Sequence, residues 1–364
     1  MRFDKLSWSP PPQLGAKMRR VGEIEYTHDH EIGQGQGRSK VYLASDHQRG
    51  GKVAVKEILK TGFRDFDEYW TESKAMRSAE HEHVVPILYG CQIEDHVCIA
   101  MPYYKNGSLA DKIRNGPIPP SEIVRLGTQV LSGLTKIHGV PLVHFDVKPS
   151  NILIDDNDRA RVADLGQAQP IGPHGIANIP ELVYGLGFPP ESLSLLKGIP
   201  ESDIYQVGVT LYRAANGDPF FKAQRPGTQR ELLDQIRDGL FPNRDAFMPH
   251  VPRSHRMILR RAMSVDPSQR YGSAREFASA LGKATYSHDW RMANLANGEI
   301  EWTSARAPGP DLVVRLSNDS PKWKVTVHHA RPGKQTKTKG LFWKNGLTRR
   351  DGLIHLRRVF ESLE

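Results

Sequence analysis

The 364-residue sequence predicts an α+β fold in three blocks: a small β-rich lobe, a mainly helical lobe and a small C-terminal α+β domain. Three observations carry this reading. Residues 26–104 are dominated by alternating or β-branched runs (KVYLA, KVAVKEIL, HVCIAMPY) broken by glycine or acidic turns. Past Asn106-Gly107 the apolar residues recur at the i, i+3/i+4 spacing of buried helices. From residue 286 the β signals return, with an Asn297-Gly298 hairpin turn. The boundaries read as a flexible lead-in over 1–21, one two-lobed domain over 22–285 (22–104 and 105–285) and a basic accessory domain over 286–364.

Taken in order, the lead-in carries Pro10-Pro11-Pro12 and then Lys17, Arg19 and Arg20, and order is expected from Val21. One helix is expected among the early strands, at Asp65–Ala79. A two-residue turn at Glu94-Asp95 would set Cys91 directly across from Cys98 on neighbouring strands, where core packing is expected of both rather than a redox role. The stretch PPSEIVRLGTQVLSGLTKIHG reads as a helix capped by Ser121, with a buried stripe at Ile123, Leu126, Val130, Leu134 and Ile137. Further helices are expected at about 203–215, 228–240, 254–264 and 273–284. The tail should hold strands at DLVVRL, KWKVTV and GLFW and a last helix at 348–362.

With 38% hydrophobic and 25% charged residues, the composition is that of a soluble globular protein. No apolar run approaches the roughly 18–20 residues of a membrane span, and MRFDKLSWSPPPQLG has no signal-peptide core. A cytoplasmic protein without membrane partners is expected. Two cysteines are too few for a disulfide framework or a metal site. The net charge of +9 divides unevenly: 14 Lys/Arg against 8 Asp/Glu in 286–364 (+6), and 36 against 33 in 1–285 (+3).

The densest chemistry is HFDVKPSNILI, residues 144–154. An aspartate in a loop after a buried helix, followed five residues on by an asparagine, can aim a carboxylate at a nucleophile and an amide oxygen at a metal. Asp164, in RVADLG, adds a second carboxylate at a strand end where it can ligate Mg²⁺. An Asp/Asn/Asp set with one hard-cation pair suits phosphoryl transfer. Upstream, Gly33, Gly35 and Gly37 lie between strand-like runs, where backbone N–H groups can approach phosphates. Lys56 points inward from an alternating strand and needs an anionic partner, for which Glu72 on the next helix is the candidate.

In order, the Gly-rich loop, V-A-V-K, a helix glutamate, H-x-D-x-K-x-x-N, D-L-G, P-P-E and a later D-x-x-x-x-G resemble the signature set of protein kinases over residues 26–285. The resemblance implies a bilobal kinase fold and a eukaryotic-like Ser/Thr protein kinase that uses ATP with Mg²⁺, or Mn²⁺, on protein substrates. It implies that Lys56 holds the α/β-phosphates and pairs with Glu72, and that Asp146 handles the substrate hydroxyl proton. Lys148 would neutralise the γ-phosphate, with Asn151 and Asp164 as metal ligands. Ile32, Gly33, Gly35, Gly37, Val41, Ala54, Lys56, Met101, Tyr104 and Leu153 would surround the nucleotide. Leu165 would pack with Met76 and His144, Glu191 would pair with Arg270, and Asp203 would support the catalytic loop.

The chain departs from the family pattern in its glycine loop, in its catalytic loop and in lacking the threonine that Ser/Thr kinases usually place before the P-P-E glutamate, and its tail lies beyond that pattern. The glycine loop has one residue too many between Gly33 and Val41, and Arg38 stands where the third glycine belongs. Phe145 replaces the arginine that elsewhere in the family binds an activation-segment phosphate, making this a non-RD loop; residues 165–190 correspondingly hold no Ser or Thr, and Tyr184 is their one hydroxyl. The tail matches no family known to us. Its basic loop RPGKQTKTKG, Trp302, Trp323 and Trp343, and Arg349, Arg350, Arg357 and Arg358 would suit nucleic acid or protein docking. Two other readings stay open: a small-molecule phosphotransferase of related fold, and a nucleic-acid or partner-binding scaffold with a weakly active kinase domain.

Overall fold

The computed structural model describes residues 24–34, 39–60, 78–93, 95–180, 185–195, 197–305, 309–331, 334–337 and 342–364. The lead-in 1–21 and its order from Val21, most of the expected 65–79 helix with Glu72 and Met76, and Gly35, Gly37, Arg38, Glu94 and Tyr184 lie outside the described residues.

The first lobe is an antiparallel sheet of β1 (Tyr26–Gln34), β2 (Ser39–Asp46), β3 (Lys52–Leu59), β4 (Tyr89–Ile93) and β5 (His96–Pro102), ordered β1-β2-β3-β5-β4. Its register pairs Gly33 with Val41, Val41 with Lys56, and Ala54 with Met101. Directly opposed residues share a face and successive ones alternate. Gly33, Val41, Ala54, Lys56 and Met101 therefore line one face. Ile32 is the extra residue of a β-bulge, between the pairs Glu31–Tyr42 and Gly33–Val41. The opposite face buries Ala44, Val53, Val55, Cys98 and Ala100, packed by Tyr26 and Tyr89. Ile93 pairs with His96 and Cys91 with Cys98, the register a two-residue turn dictates.

The second lobe begins with α1 (Leu109–Ile113) and α2 (Pro120–Gly139), whose predicted stripe from Ile123 to Ile137 is entirely buried. The short strands β6 (Leu142–Val143), β7 (Ile152–Ile154), β8 (Ala160–Val162), β9 (Gln169–Pro170) and β10 (Ala177–Asn178) carry the loops of the cleft. There follow α3 (Pro190–Leu195), β11 (Lys197–Gly198), α4 (Pro200–Asn216), α5 (Asp218–Lys222), α6 (Gln229–Arg237), α7 (Arg253–Ala262) and α8 (Ala274–Gly282). Buried from Ser202 through Tyr212, α4 is the central helix of the lobe.

Ser121 does not cap α2 as expected. Pro119 is the cap residue and Pro120 opens the helix, a position where its missing N–H costs nothing. Ser121 instead donates its amide and hydroxyl to the Asp289 carboxylate, at 2.9 and 2.6 Å, so an acidic residue from the start of the tail satisfies the helix N-terminus.

The tail is an antiparallel sheet of β12 (Arg291–Asn294), β13 (Ile300–Ser304), β14 (Asp311–Asp319), β15 (Lys322–Arg331) and β16 (Lys334–Lys337), with β17 (Lys344–Leu347) also on β15. Asn297 and Gly298 turn the chain with φ of 58° and 73°, the left-handed conformation this dipeptide favours. Of the expected GLFW strand, Gly340 and Leu341 lie outside the described residues, and Phe342 and Trp343 are not in a strand: the Trp343 indole donates to the Val327 carbonyl at 3.1 Å, and strand pairing is seen from Lys344.

The last helix, α9 (Arg349–Leu363), lays Leu356, Val359 and Phe360 on Trp302, Val314, Leu316, Val325 and Val327. This layer abuts the helical lobe, where His250 lies 6.0 Å from the Trp302 ring and 6.2 Å from Phe360. Burial pushes the His250 imidazole down to about 3, so it packs as a neutral ring. Arg357 donates to the Phe247 carbonyl at 2.9 Å and Glu364 accepts from the Arg253 amide at 2.9 Å. Among the described residues no helix is long and apolar enough to cross a membrane. Asp289→Ala, which orphans the first-turn donors of α2, is expected to cost about 1 kcal/mol, read as a lower denaturation midpoint with an unchanged slope.

Candidate active site

The loop between β6 and β7 is held from beneath by α4. Asp203, fully buried, accepts the His144 amide at 2.8 Å and the Phe145 amide at 2.9 Å, and bonds His138 Nε2 at 2.8 Å. One turn on, Gln206 donates to the Phe145 carbonyl at 2.6 Å and accepts the Val147 amide at 2.9 Å; a turn further, Thr210 donates to the Val147 carbonyl at 3.3 Å. Positions 203, 206 and 210 share one helix face. Asp203 was legible from the sequence; Gln206 and Thr210 were missed, although polar residues at helical spacing inside the apolar run DIYQVGVTLY were the available signal.

Above this support Asp146 is buried and faces the cleft. Lys148 Nζ lies 2.7 Å from its Oδ2, and Asn151 Nδ2 donates to its carbonyl at 2.9 Å and to Oδ2 at 3.0 Å. Burial raises the Asp146 carboxyl above its ordinary value, against the partial opposition of Lys148. A groove beside the carboxylate is lined by Lys148, Pro149, Leu186, Gly187, Phe188 and Arg213.

Asp164, in the left-handed conformation at φ 64°, turns its carboxylate to Lys56 Nζ, 2.7 Å away, and to the Gly166 amide at 3.3 Å. Burial would raise this carboxyl too, but the Lys56 charge outweighs it and holds the group down to about 2. The expected Lys56–Glu72 pair lies outside the described residues; among the described residues Lys56 pairs with Asp164. Asn151 and Asp164 bring oxygen donors, the kind Mg²⁺ selects. Both hydrogen bonds to Asp164 go to Oδ1, so the donor set fits that ion.

Of the residues expected around a nucleotide, Gly33, Val41, Ala54, Lys56 and Met101 share the sheet face turned to Asp164. Leu153 lies between buried Ile152 and Ile154 but is itself half-buried, pairing with Arg161, whose guanidinium sits 5.9 Å from the Tyr104 ring centroid. Ile32 is exposed at its bulge, and Gly35 and Gly37 are outside the described residues.

Phe145 is fully buried in a left-handed backbone, φ 64°, which a non-glycine residue adopts at a cost of about 1–3 kcal/mol. Its ring packs with Val143, Ala177 and Phe188, joining the loop to the 165–190 segment. A Cβ on Gly198 would lie 2.1 Å from that ring, so the glycine on β11 makes the slot. Leu165 and His144 are buried as expected. Arg270, also buried, donates to both oxygens of Glu191 at 2.8 and 2.6 Å, and Ser202 donates to Glu191 at 2.7 Å.

The tail does not present the aromatic surface expected for stacking on bases. Trp302 is fully buried under α9 because it sits on the inward face of β13. Trp323 is half-buried with the Arg349 guanidinium 5.7 Å over its ring, and the Trp343 N–H is already committed to Val327. Nucleic-acid binding is left without support.

The protein kinase domain family matches residues 26–284. The chain is 31% identical over 265 residues to Serine/threonine-protein kinase pkn2 of Myxococcus xanthus, covering 70% of this chain and 31% of that protein. It is 27% identical to Serine/threonine-protein kinase PrkC of Bacillus subtilis, over 69% of this chain and 39% of the relative. It is also 28% identical to Serine/threonine-protein kinase PknH of Mycobacterium tuberculosis, over 81% and 48%. The chain thus spans between about a third and a half of the length of these relatives.

The Lys56–Asp164 pair sets an acid limit. With its pKa held near 2, below the ordinary 3.8, Asp164 favours the folded state above about pH 4, and that contribution is lost as pH falls through 2. In a carboxyl-carbon NMR titration the wild-type midpoint is expected near 2. In Lys56→Met, where only the Gly166 amide and His144 are left to oppose burial, it should rise.

Proposed function

The chain belongs to the protein kinase family, and from that premise we propose that it transfers the γ-phosphoryl group of ATP to Ser/Thr hydroxyls of protein substrates. The observation that carries the proposal is the convergence of Asp146, Lys148 and Asn151 on one loop, facing the Lys56–Asp164 pair across the cleft. Asp146 accepts and orients the acceptor hydroxyl, and its raised basicity suits a group that must take a proton near neutral pH. Lys148, on the same carboxylate, supplies positive charge beside the transferred group, and Lys56 holds the α/β-phosphates. Asn151 and Asp164 hold Mg²⁺, or Mn²⁺ in its place, which when bound neutralises phosphate charge. The groove at Leu186–Phe188 gives the acceptor side chain access to Asp146, and Lys148 in D-x-K-P-x-N favours serine and threonine over tyrosine.

The apolar cluster around Phe145 takes the place of a phosphate clamp. It ties β10 and Phe188 to the catalytic loop by apolar packing, so activity does not rely on Ser/Thr phosphorylation of the 165–190 segment. The tail, seated on Ser121, Phe247, His250 and Arg253, is proposed as a docking or regulatory domain placed at the base of the helical lobe.

Purified protein with labelled ATP and Mg²⁺ is expected to modify itself or a generic basic protein, and Asp146→Asn and Lys56→Met should each lower the rate by roughly 10²-fold or more. Wild-type silence with both Mg²⁺ and Mn²⁺ would falsify the assignment. Phosphatase treatment should leave the rate unchanged, whereas Phe145→Ala should cost about 3–5 kcal/mol of stability and lower the rate as the segment loosens; a rate that falls with phosphatase and recovers with ATP would replace packing by phosphate as the organising force.

A further inference from the structure

On the sheet face turned away from the cleft, two thiols stand opposite each other. Cys91 and Cys98 are direct partners in the antiparallel β4–β5 pair. Opposed residues in such a pair have Cα atoms about 4.5–5.5 Å apart, inside the roughly 4.4–6.8 Å span of a disulfide. Their environments differ in the sense that a two-step oxidation needs. Cys91 is half-buried and open to a small solute, while Cys98 is buried among Ala44, Val53, Val55 and Ala100.

The two thiols are hydrogen-bonded to each other. That bond draws Cys91 below its ordinary range and, with burial, pushes Cys98 up. The single proton of the Tyr26 hydroxyl is shared between Cys98 Sγ at 3.3 Å and Glu57 at 3.2 Å, holding the inner sulfur from β1. Cys91 packs at the half-buried rim of the apolar cluster that encloses Cys98, so solvent reaches one member of the sulfur pair and not the other. Among the described residues no group of three His, Cys, Asp or Glu side chains forms a metal site here.

We propose that Cys91 and Cys98 form a reversible modification site, closing to an intramolecular disulfide when the protein meets a hydroperoxide. The Cys91 thiolate attacks the terminal peroxide oxygen; the O–O bond breaks, Cys91 becomes a sulfenic acid, and the departing oxide is protonated. Cys98 then attacks the Cys91 sulfur. The S–S bond forms, the S–O bond breaks, and hydroxide leaves with the Cys98 proton as water. With hydrogen peroxide, two thiols are oxidised and one peroxide is reduced to two waters. A thiol reductant reverses the bond, which would staple β4 to the strand leading to Met101.

The test uses the full chain, reduced, desalted and exposed to hydrogen peroxide, then denatured, alkylated and peptide-mapped. The expected result is a monomer lighter by two hydrogens, a linked Cys91–Cys98 peptide, and full recovery of both thiols with dithiothreitol. Cys98→Ser should trap Cys91 as a sulfenic acid captured by dimedone, and Cys91→Ser should leave Cys98 alkylatable. Wild-type cysteines that stay alkylatable, a disulfide between two chains, or Cys98 oxidising in Cys91→Ser would each overturn the proposal. None of these readouts depends on phosphotransfer, so the site stands or falls apart from the kinase assignment.

Discussion

The carboxylate of Asp203, with no exposed surface, accepts the amides of His144 and Phe145 and bonds His138. A buried charge left unpaired costs several kcal/mol, so this group dictates where those two amides lie. Once they are fixed, Gln206 and Thr210 take the next backbone groups, and the loop is read off α4 turn by turn. That is why Phe145 can sit at φ 64° directly before Asp146. The strain is local, and the hydrogen bonds that over-determine it come from the most buried helix of the lobe.

On that platform, two aspartates of the same intrinsic acidity diverge. Both are disfavoured as anions by burial, but Lys56 at 2.7 Å reverses the sign for Asp164, while Lys148 only moderates it for Asp146. A pair of carboxyls pushed apart by their surroundings suits the division proposed for them, a firmly anionic ligand and a proton acceptor in one site. The Arg270–Glu191 pair performs a different task. It is closed off by the Glu201, Ser264 and Val265 carbonyls, and it anchors the end of the 165–190 segment rather than meeting substrate.

Much of this was legible in the residues because the chemistry demands side chains that cannot be exchanged. Lys56, Asp146, Lys148, Asn151 and Asp164, singled out by type and spacing, are brought together in one cleft, and the β4–β5 register follows from turn length alone. What escaped was set by tertiary partners. Ser121 carries the local signature of a cap, yet Asp289, 168 residues away, satisfies the helix instead. The aromatic content of the tail reads as surface until the inward face of β13 claims Trp302. Gln206 looked like an ordinary polar residue because its importance lies in two backbone groups of a loop 59 and 61 residues earlier.

The slot at Gly198 makes positions 145 and 198 a single shared volume. A side chain at 198 fits only beside a smaller or differently directed residue at 145, and the present ring fits only beside glycine. Changes at the two sites are therefore epistatic. Restoring an arginine at 145 would not by itself recreate a phosphate-binding loop, since it would leave an apolar hollow between β11 and Phe188 with nothing to fill it. A lineage moving between a phosphate-held and a packing-held segment has to pass through both positions, and either single step is a defect.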